Sequence, residues 1–98
     1  MLYCVMIKSF SDKETERFYV TAKSKKIPPN IHKVALRKLD YLDAAYLLDD
    51  LRSPPGNMLE ALERELKGKY SIRINKQYRI VFAYENGNAY DVVITDYH

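Results

Sequence analysis

The sequence predicts an α+β fold: a small, mostly antiparallel β-sheet with two helices from the N-terminal half packed on one face. Three observations carry that expectation. Two segments in the first half repeat apolar residues at the helical period. After Gly68 the texture changes to β-branched and aromatic residues, in three runs separated by turn signals. One further strand-like run stands in front, somewhere in residues 3–9.

Each element follows from local chemistry. In "SDKE", Ser11 can cap a helix and Glu14 can reach back to it, a capping box. This helix is expected to run to about Ser24, with Phe18, Tyr19 and Ala22 turned inward. "KKIPPN" breaks it. A second helix begins near Pro29 or Asn30 and runs to about Ala44. Ile31, Ala35, Leu39 and Leu42 form its inner stripe, and His32, Lys33 and Arg37 lie off it. "LLDDLRSPPGN" is a loop punctuated by Pro-Pro-Gly. "MLEALERELKG" reads as helix on propensity alone. "YSIRIN", "YRIVFAY" and "AYDVVITDY" then form an antiparallel meander.

The apolar pattern fixes a register. A three-residue loop, Asn75-Lys76-Gln77, sets Ile74 opposite Tyr78, Ile72 opposite Ile80 and Tyr70 opposite Phe82. For the next hairpin, Asn86-Gly87 suggests a two-residue turn. That turn would place Asp91 opposite Phe82 on the core face. A three-residue loop ending in Gly87 avoids this and pairs Tyr84 with Asn88, Phe82 with Tyr90, Ile80 with Val92 and Tyr78 with Ile94. The other face then carries Ser71, Arg73, Arg79, Val81, Val93, Thr95 and Tyr97, with the two arginines directly opposed.

A chain of 98 residues is one domain by default and can bury a modest core. Its apolar runs are a few residues long, so no membrane span is expected. The N-terminus lacks the pattern of a signal peptide. One cysteine, Cys4, allows no internal disulfide, and together these point to the cytoplasm. No cluster of Cys, His and acids has metal-ligand spacing, so neither a metal nor another cofactor is expected.

Net charge is +3, but residues 64–79 hold six bases against Glu65, a local +5 that leaves −2 elsewhere. Lys67, Lys69, Arg73 and Lys76 are therefore candidates for a phosphate-binding surface, set against the ordinary reading of a solvated charged face. Opposed guanidiniums repel unless an anion sits between them, and a planar guanidinium suits a phosphate. An arginine pair followed by a terminal Asp-Tyr-His can assemble a metal-free RNA-cleaving site. Such a site needs a base for the ribose 2′-OH, positive charge on the pentavalent phosphate and a proton for the leaving 5′-oxygen. His98 can be acid or base. Asp96 can orient it or act as base, and Tyr97 can stack on a nucleobase or bond the phosphate. The plain alternatives are a loose terminus for His98, edge packing for Tyr97 and a pairing of Asp96 with Lys76.

At these residues the chain resembles the HigB toxins of bacterial toxin–antitoxin modules, within the RelE/ParE superfamily. The matching segments are "MIKSF" at 6–10, "LRSPPGN" at 51–57, "LKGKYSIRINKQYRIVF" at 66–82 and the terminal "DYH". Length and element order agree as well, and "SIRINKQYRIVF" is the most specific piece. The resemblance implies a RelE-like fold and cleavage of mRNA on the translating ribosome. It also implies a HigA-like helix-turn-helix antitoxin as partner and a free toxin that is monomeric. Its implied site residues are Arg79, Asp96, Tyr97 and His98, with Arg73 on the phosphate. Some relatives carry His and Lys where this chain has Glu60 and Glu63, so Glu60 is the candidate to take the histidine's role. The resemblance also makes residues 59–62 a strand, against local propensity. A usual start at Met6 makes residues 1–5 either an extension or a longer first strand. A reading of another class stands beside it: a non-catalytic toxin-fold protein, either a gyrase-type inhibitor or an inactive antitoxin-binding relative.

Overall fold

The structure, a computed structural model, describes residues 7–45, 47–53 and 55–96. The part of the expected first strand at residues 3–6 lies outside them. Residues 7–10 run parallel to the last strand and bridge it at two points, Ile7 with Ala89 and Phe10 with Val92. Two helices follow, α1 (Lys13–Thr21) and α2 (His32–Ala44). A four-stranded antiparallel sheet completes the architecture: β1 (Glu60–Ala61), β2 (Lys69–Arg73), β3 (Tyr78–Glu85) and β4 (Asn88–Asp96), in the order β1-β2-β3-β4.

Helix α1 departs from expectation at both ends. Its cap is Asp12, not Ser11: the Asp12 carboxylate accepts the Thr15 N–H at 2.8 Å. Glu14 does not reach back but accepts from the Ser24 hydroxyl, which holds its carboxyl below the usual range. The helix ends at Thr21, because Ala22 adopts a left-handed φ of 63° and its N–H closes on the Phe18 carbonyl at 2.7 Å. Ala22 is therefore exposed rather than inward. Ser24 belongs to the next turn, where its hydroxyl accepts the N–H groups of Lys26 and Ile27. A 3₁₀ turn at Pro29–Ile31 leads into α2, and turn and helix together bury Ile31, Ala35, Leu39 and Leu42, the predicted stripe.

The first hairpin has the predicted register, with Tyr70 on Phe82, Ile72 on Ile80 and Arg73 on Arg79. The second does not. Glu85 pairs with Asn88, so the turn is the two-residue Asn86-Gly87, with φ of 51° and 81°. The objection to that turn was Asp91 facing the core. A β-bulge between Val81 and Ala83 removes it. Asp91 takes a left-handed φ of 55° and stays exposed, while Val92 is fully buried. The Asp91 N–H, freed from the ladder, donates to Ser9 Oγ at 2.9 Å. Beyond the bulge Ile80 meets Ile94 and Tyr78 meets Asp96, so the pairs expected with Val92, Ile94 and Tyr90 are each displaced. Tyr90 now pairs with Ala83, off the core face.

The core cluster joins Phe18, Ile31, Leu39, Leu42 and Leu51 to Ile72, Ile80, Phe82 and Val92 on one face of the sheet. Asp43 ties three elements together at its rim. It accepts the Ile7 N–H at 3.0 Å and, with Asp40, the Tyr19 hydroxyl. Within "LLDDLRSPPGN", Leu48–Arg52 and Pro55–Asn57 form 3₁₀ turns. Asn57 is fully buried, takes a hydrogen bond from Lys38 Nζ and donates to the carbonyls of Leu51 and Ser53.

Candidate functional site

The site grows from the face of the sheet away from the helices. Arg79 is 12% exposed at its side chain and is held from three sides. Its Nε donates to Ser71 Oγ at 2.7 Å, on the neighbouring strand. One Nη2 contact goes to the Met58 carbonyl at 2.7 Å, and Glu60 Oε1 lies 3.7 Å from the same nitrogen. Arg73, its opposed partner, donates through Nη1 to Met58 Sδ at 3.2 Å. Met58 thus touches both guanidiniums, one by its carbonyl and one by its sulfur. It does so from a left-handed φ of 45° and remains 53% exposed.

Two clefts meet at this residue. One, of about 240 Å³, is lined by Met58, Arg73, Asn75, Lys76 and Arg79. Three cations face it. Asn75 shapes the turn that carries Lys76, its Oδ1 accepting the N–H groups of Gln77 at 2.8 Å and Tyr78 at 2.7 Å. The other, of about 250 Å³, is lined by Met58, Leu59, Glu60 and Arg79. Arg79 is the wall between a cationic cleft and one that offers a carboxylate. A fixed guanidinium in such a wall can hold a phosphoryl oxygen in place while charge builds on it.

Lys38 supports this region from the core side. It is buried, hydrogen-bonded to Asn57 and 6.0 Å from the centre of the Tyr41 ring. Burial, and then the charges of Arg37 and Arg73, push its ammonium below the usual lysine range.

Not all the candidates converge. Arg73, Lys76, Arg79 and Glu60 meet around Met58. Lys67 and Lys69 line a separate cleft of about 570 Å³ with Leu62, Glu63 and Tyr70. Four residue steps along β2 separate Lys69 from Arg73, roughly 13 Å. Asp96 pairs with Tyr78 and so stands out of step with Arg79, and its Oδ2 accepts from Gln77 Nε2 at 2.9 Å. Tyr97 and His98 lie outside the described residues. Sequence reasoning passed over Met58, Asn75 and the Lys38–Asn57 pair. Ser71 was placed on the correct face by parity without a role. Asn before a turn is a readable signal, whereas nothing marks Met58.

With this geometry in hand, comparison with known proteins defines first a class. Two solved structures share the fold over almost the whole chain. They are the YoeB–YefM complex of Staphylococcus aureus (TM-score 0.57, 96% of this chain and 97% of that one) and the YoeB dimer of the same organism (TM-score 0.55, 97% and 98%), each 21% identical. Residues 8–98 match the family described as the RelE-like toxin of the type II toxin–antitoxin system HigB. Toxin HigB-1 of Vibrio cholerae is 49% identical over 85 residues, 86% of this chain and 90% of that protein. An uncharacterized Haemophilus influenzae protein is 50% identical over 78 residues, 79% of this chain and 77% of its own length. The chain belongs to the HigB-like family of toxins, with a RelE-like α+β fold and the toxin role of a type II toxin–antitoxin system. Among the described residues no helix is long and apolar enough to cross a membrane.

Proposed function

We propose that this toxin is a ribosome-dependent mRNA endonuclease acting in the cytoplasm. The observation that carries the reading is the convergence of Arg73, Lys76 and Arg79 on one cleft, with Arg79 already fixed by Ser71 and Met58. The scissile phosphate sits in that cleft. Glu60, half-exposed beside Arg79, takes the proton from the ribose 2′-OH. The 2′-oxygen attacks phosphorus, and Arg79 neutralises the extra charge of the pentavalent state. The bond from phosphorus to the 5′-oxygen breaks, and His98 supplies that oxygen's proton. The products are a 2′,3′-cyclic phosphate and a free 5′-hydroxyl. Asp96 orients His98, and Tyr97 stacks on a base or bonds the phosphate. No step needs a metal, because the three cations supply the charge.

Lys67 and Lys69, at the other end of β2, bind ribosomal RNA together with Lys76. A HigA-like helix-turn-helix antitoxin neutralises the protein, which is otherwise a monomer. The second reading, a non-catalytic binder of gyrase or of antitoxin alone, is favoured by Glu60. Its carboxylate lies 3.7 Å from Arg79 Nη2 and offsets part of the positive charge that guanidinium would offer a phosphate. Primer extension on mRNA from cells briefly expressing the protein separates the two. Discrete in-frame cuts, lost in Arg79→Ala, are expected. Intact messages accompanied by DNA damage would replace this reading with the second.

A further inference from the structure

We propose that Met58 is an oxidation site that lowers the affinity of the cationic cleft for phosphate. The proposal rests on the part of the functional reading that puts a phosphate in this cleft. The Met58 side chain lines the cleft, is open to solvent and holds Arg73 through its sulfur.

A thioether is a weak acceptor, so Arg73 gives it up readily to a phosphate oxygen. A peroxide changes that balance. The sulfur lone pair attacks the peroxide, the O–O bond breaks, one oxygen stays on sulfur and water leaves. Sulfur loses two electrons and the peroxide gains them. The sulfoxide oxygen is a strongly polar acceptor placed where the sulfur already meets Arg73 Nη1. It competes with phosphate for that guanidinium and occupies space in a cleft of about 240 Å³.

The backbone makes the effect local. The Met58 carbonyl, not its side chain, anchors Arg79. Its position is set by the buried Asn57 that precedes it and by β1 that follows. Oxidation therefore acts on Arg73 and leaves Arg79 in place. The change is reversible, since methionine sulfoxide reductases restore the thioether.

The test uses the purified full chain and dilute hydrogen peroxide. Peptide mass mapping locates the added oxygen and separates Met58 from Met1 and Met6. Phosphate affinity is read from thermal stabilisation by inorganic phosphate against chloride at matched ionic strength. Oxidation of wild type is expected to weaken phosphate affinity several-fold, with recovery after reductase treatment. In Met58→Leu, whose own affinity sets its baseline, peroxide should leave the affinity unchanged. Ribosomal mRNA cleavage by untreated protein is measured in parallel. If cleavage is absent while the peroxide effect is present, the endonuclease reading falls and this one stands. If Met58 carries the oxygen and phosphate affinity holds, or if phosphate gives no stabilisation before oxidation, this inference is overturned whatever the cleavage result.

Discussion

On the helix-covered face of the sheet, Ile72, Ile80, Phe82 and Val92 are wholly buried in one cluster with Phe18, Leu39 and Leu42. On the other face, Arg73 and Arg79 stand opposite each other beside open clefts. The same strands supply both faces, because successive side chains alternate. The first face gains stability from removing apolar area from water. The second holds like charges together and leaves the cationic cleft open, with Glu60 on the far side of Arg79. Stability is invested on one face and charge is concentrated on the other. Changes on the two faces should therefore separate cleanly in experiment.

The largest effect belongs to the covered face. Phe82→Ala removes a fully buried ring and should cost about 3–5 kcal/mol of stability. That is enough to unfold much of a 98-residue chain near physiological temperature. Urea denaturation followed by circular dichroism measures it, and loss of cleavage should track loss of fold. A cost below 1 kcal/mol would mean that the bulge at Val81 and Ala83 lets the core collapse around the gap.

Arg79→Ala should show the opposite split. Removing the fixed guanidinium should reduce mRNA cleavage on programmed ribosomes by about 10²–10³. The fold should lose only about 1–2 kcal/mol, since Ser71 Oγ and the Met58 carbonyl each lose one donor. Unchanged cleavage by the folded variant would remove Arg79 from the site.

These two residues also show what could be read from the sequence. Strand alternation alone placed Phe82 on the core face and set Arg79 opposite Arg73, because in the first hairpin every inward pair is apolar or aromatic. The second hairpin has the same kind of residues and was misread. Its register changes midway through a bulge, and a period-two pattern cannot reveal one inserted residue at a positive φ. Helix α2 was legible because four apolar residues mark its stripe. The end of α1 was not, since it is set by the backbone of Ala22. The same limit hid Met58, which takes part through a carbonyl aimed by a loop whose shape depends on Asn57 and the distant Lys38. The basic stretch looked continuous along the chain, but Lys67 and Lys69 lie at the far end of β2 from the arginine pair.

A smaller effect is expected at the rim between the faces. Burial, then the charge of Asp43 and the hydrogen bond to Asp40, raise the Tyr19 phenol well above its usual range. The sign follows from linkage. Above about pH 10 the unfolded chain gives up this proton while the folded chain keeps it. The stability Tyr19 contributes is complete below that pH and is lost as pH rises towards the folded value. Lys38, lowered by burial, has the opposite slope below about pH 10.5, but it is common to wild type and variant. Tyr19→Phe should cost about 1 kcal/mol at neutral pH through the lost hydrogen bonds. It should also flatten the alkaline fall in melting temperature. Parallel alkaline profiles for the two proteins would show that the phenol does not carry that dependence.

The smallest expected effect is Asp91→Gly, and it tests the register that distinguishes the two hairpins. In the bulge Asp91 is exposed with φ of 55°. A glycine relieves the left-handed strain there, roughly 1 kcal/mol for most L-residues and less for Asp. It also gives the unfolded chain more freedom, which opposes the gain by a similar amount. The backbone N–H that Ser9 accepts is unchanged by the substitution. Stability should therefore move by less than about 0.5 kcal/mol in either direction. In a regular ladder without the bulge, Asp91 would be an extended strand residue. Glycine there would cost up to about 1 kcal/mol through entropy alone. Denaturant midpoints of the two proteins, compared at equal slope, resolve that difference. A near-zero change supports the bulge as the device that keeps Val92 inward and Asp91 outward, and a full loss would return the strand to the regular register.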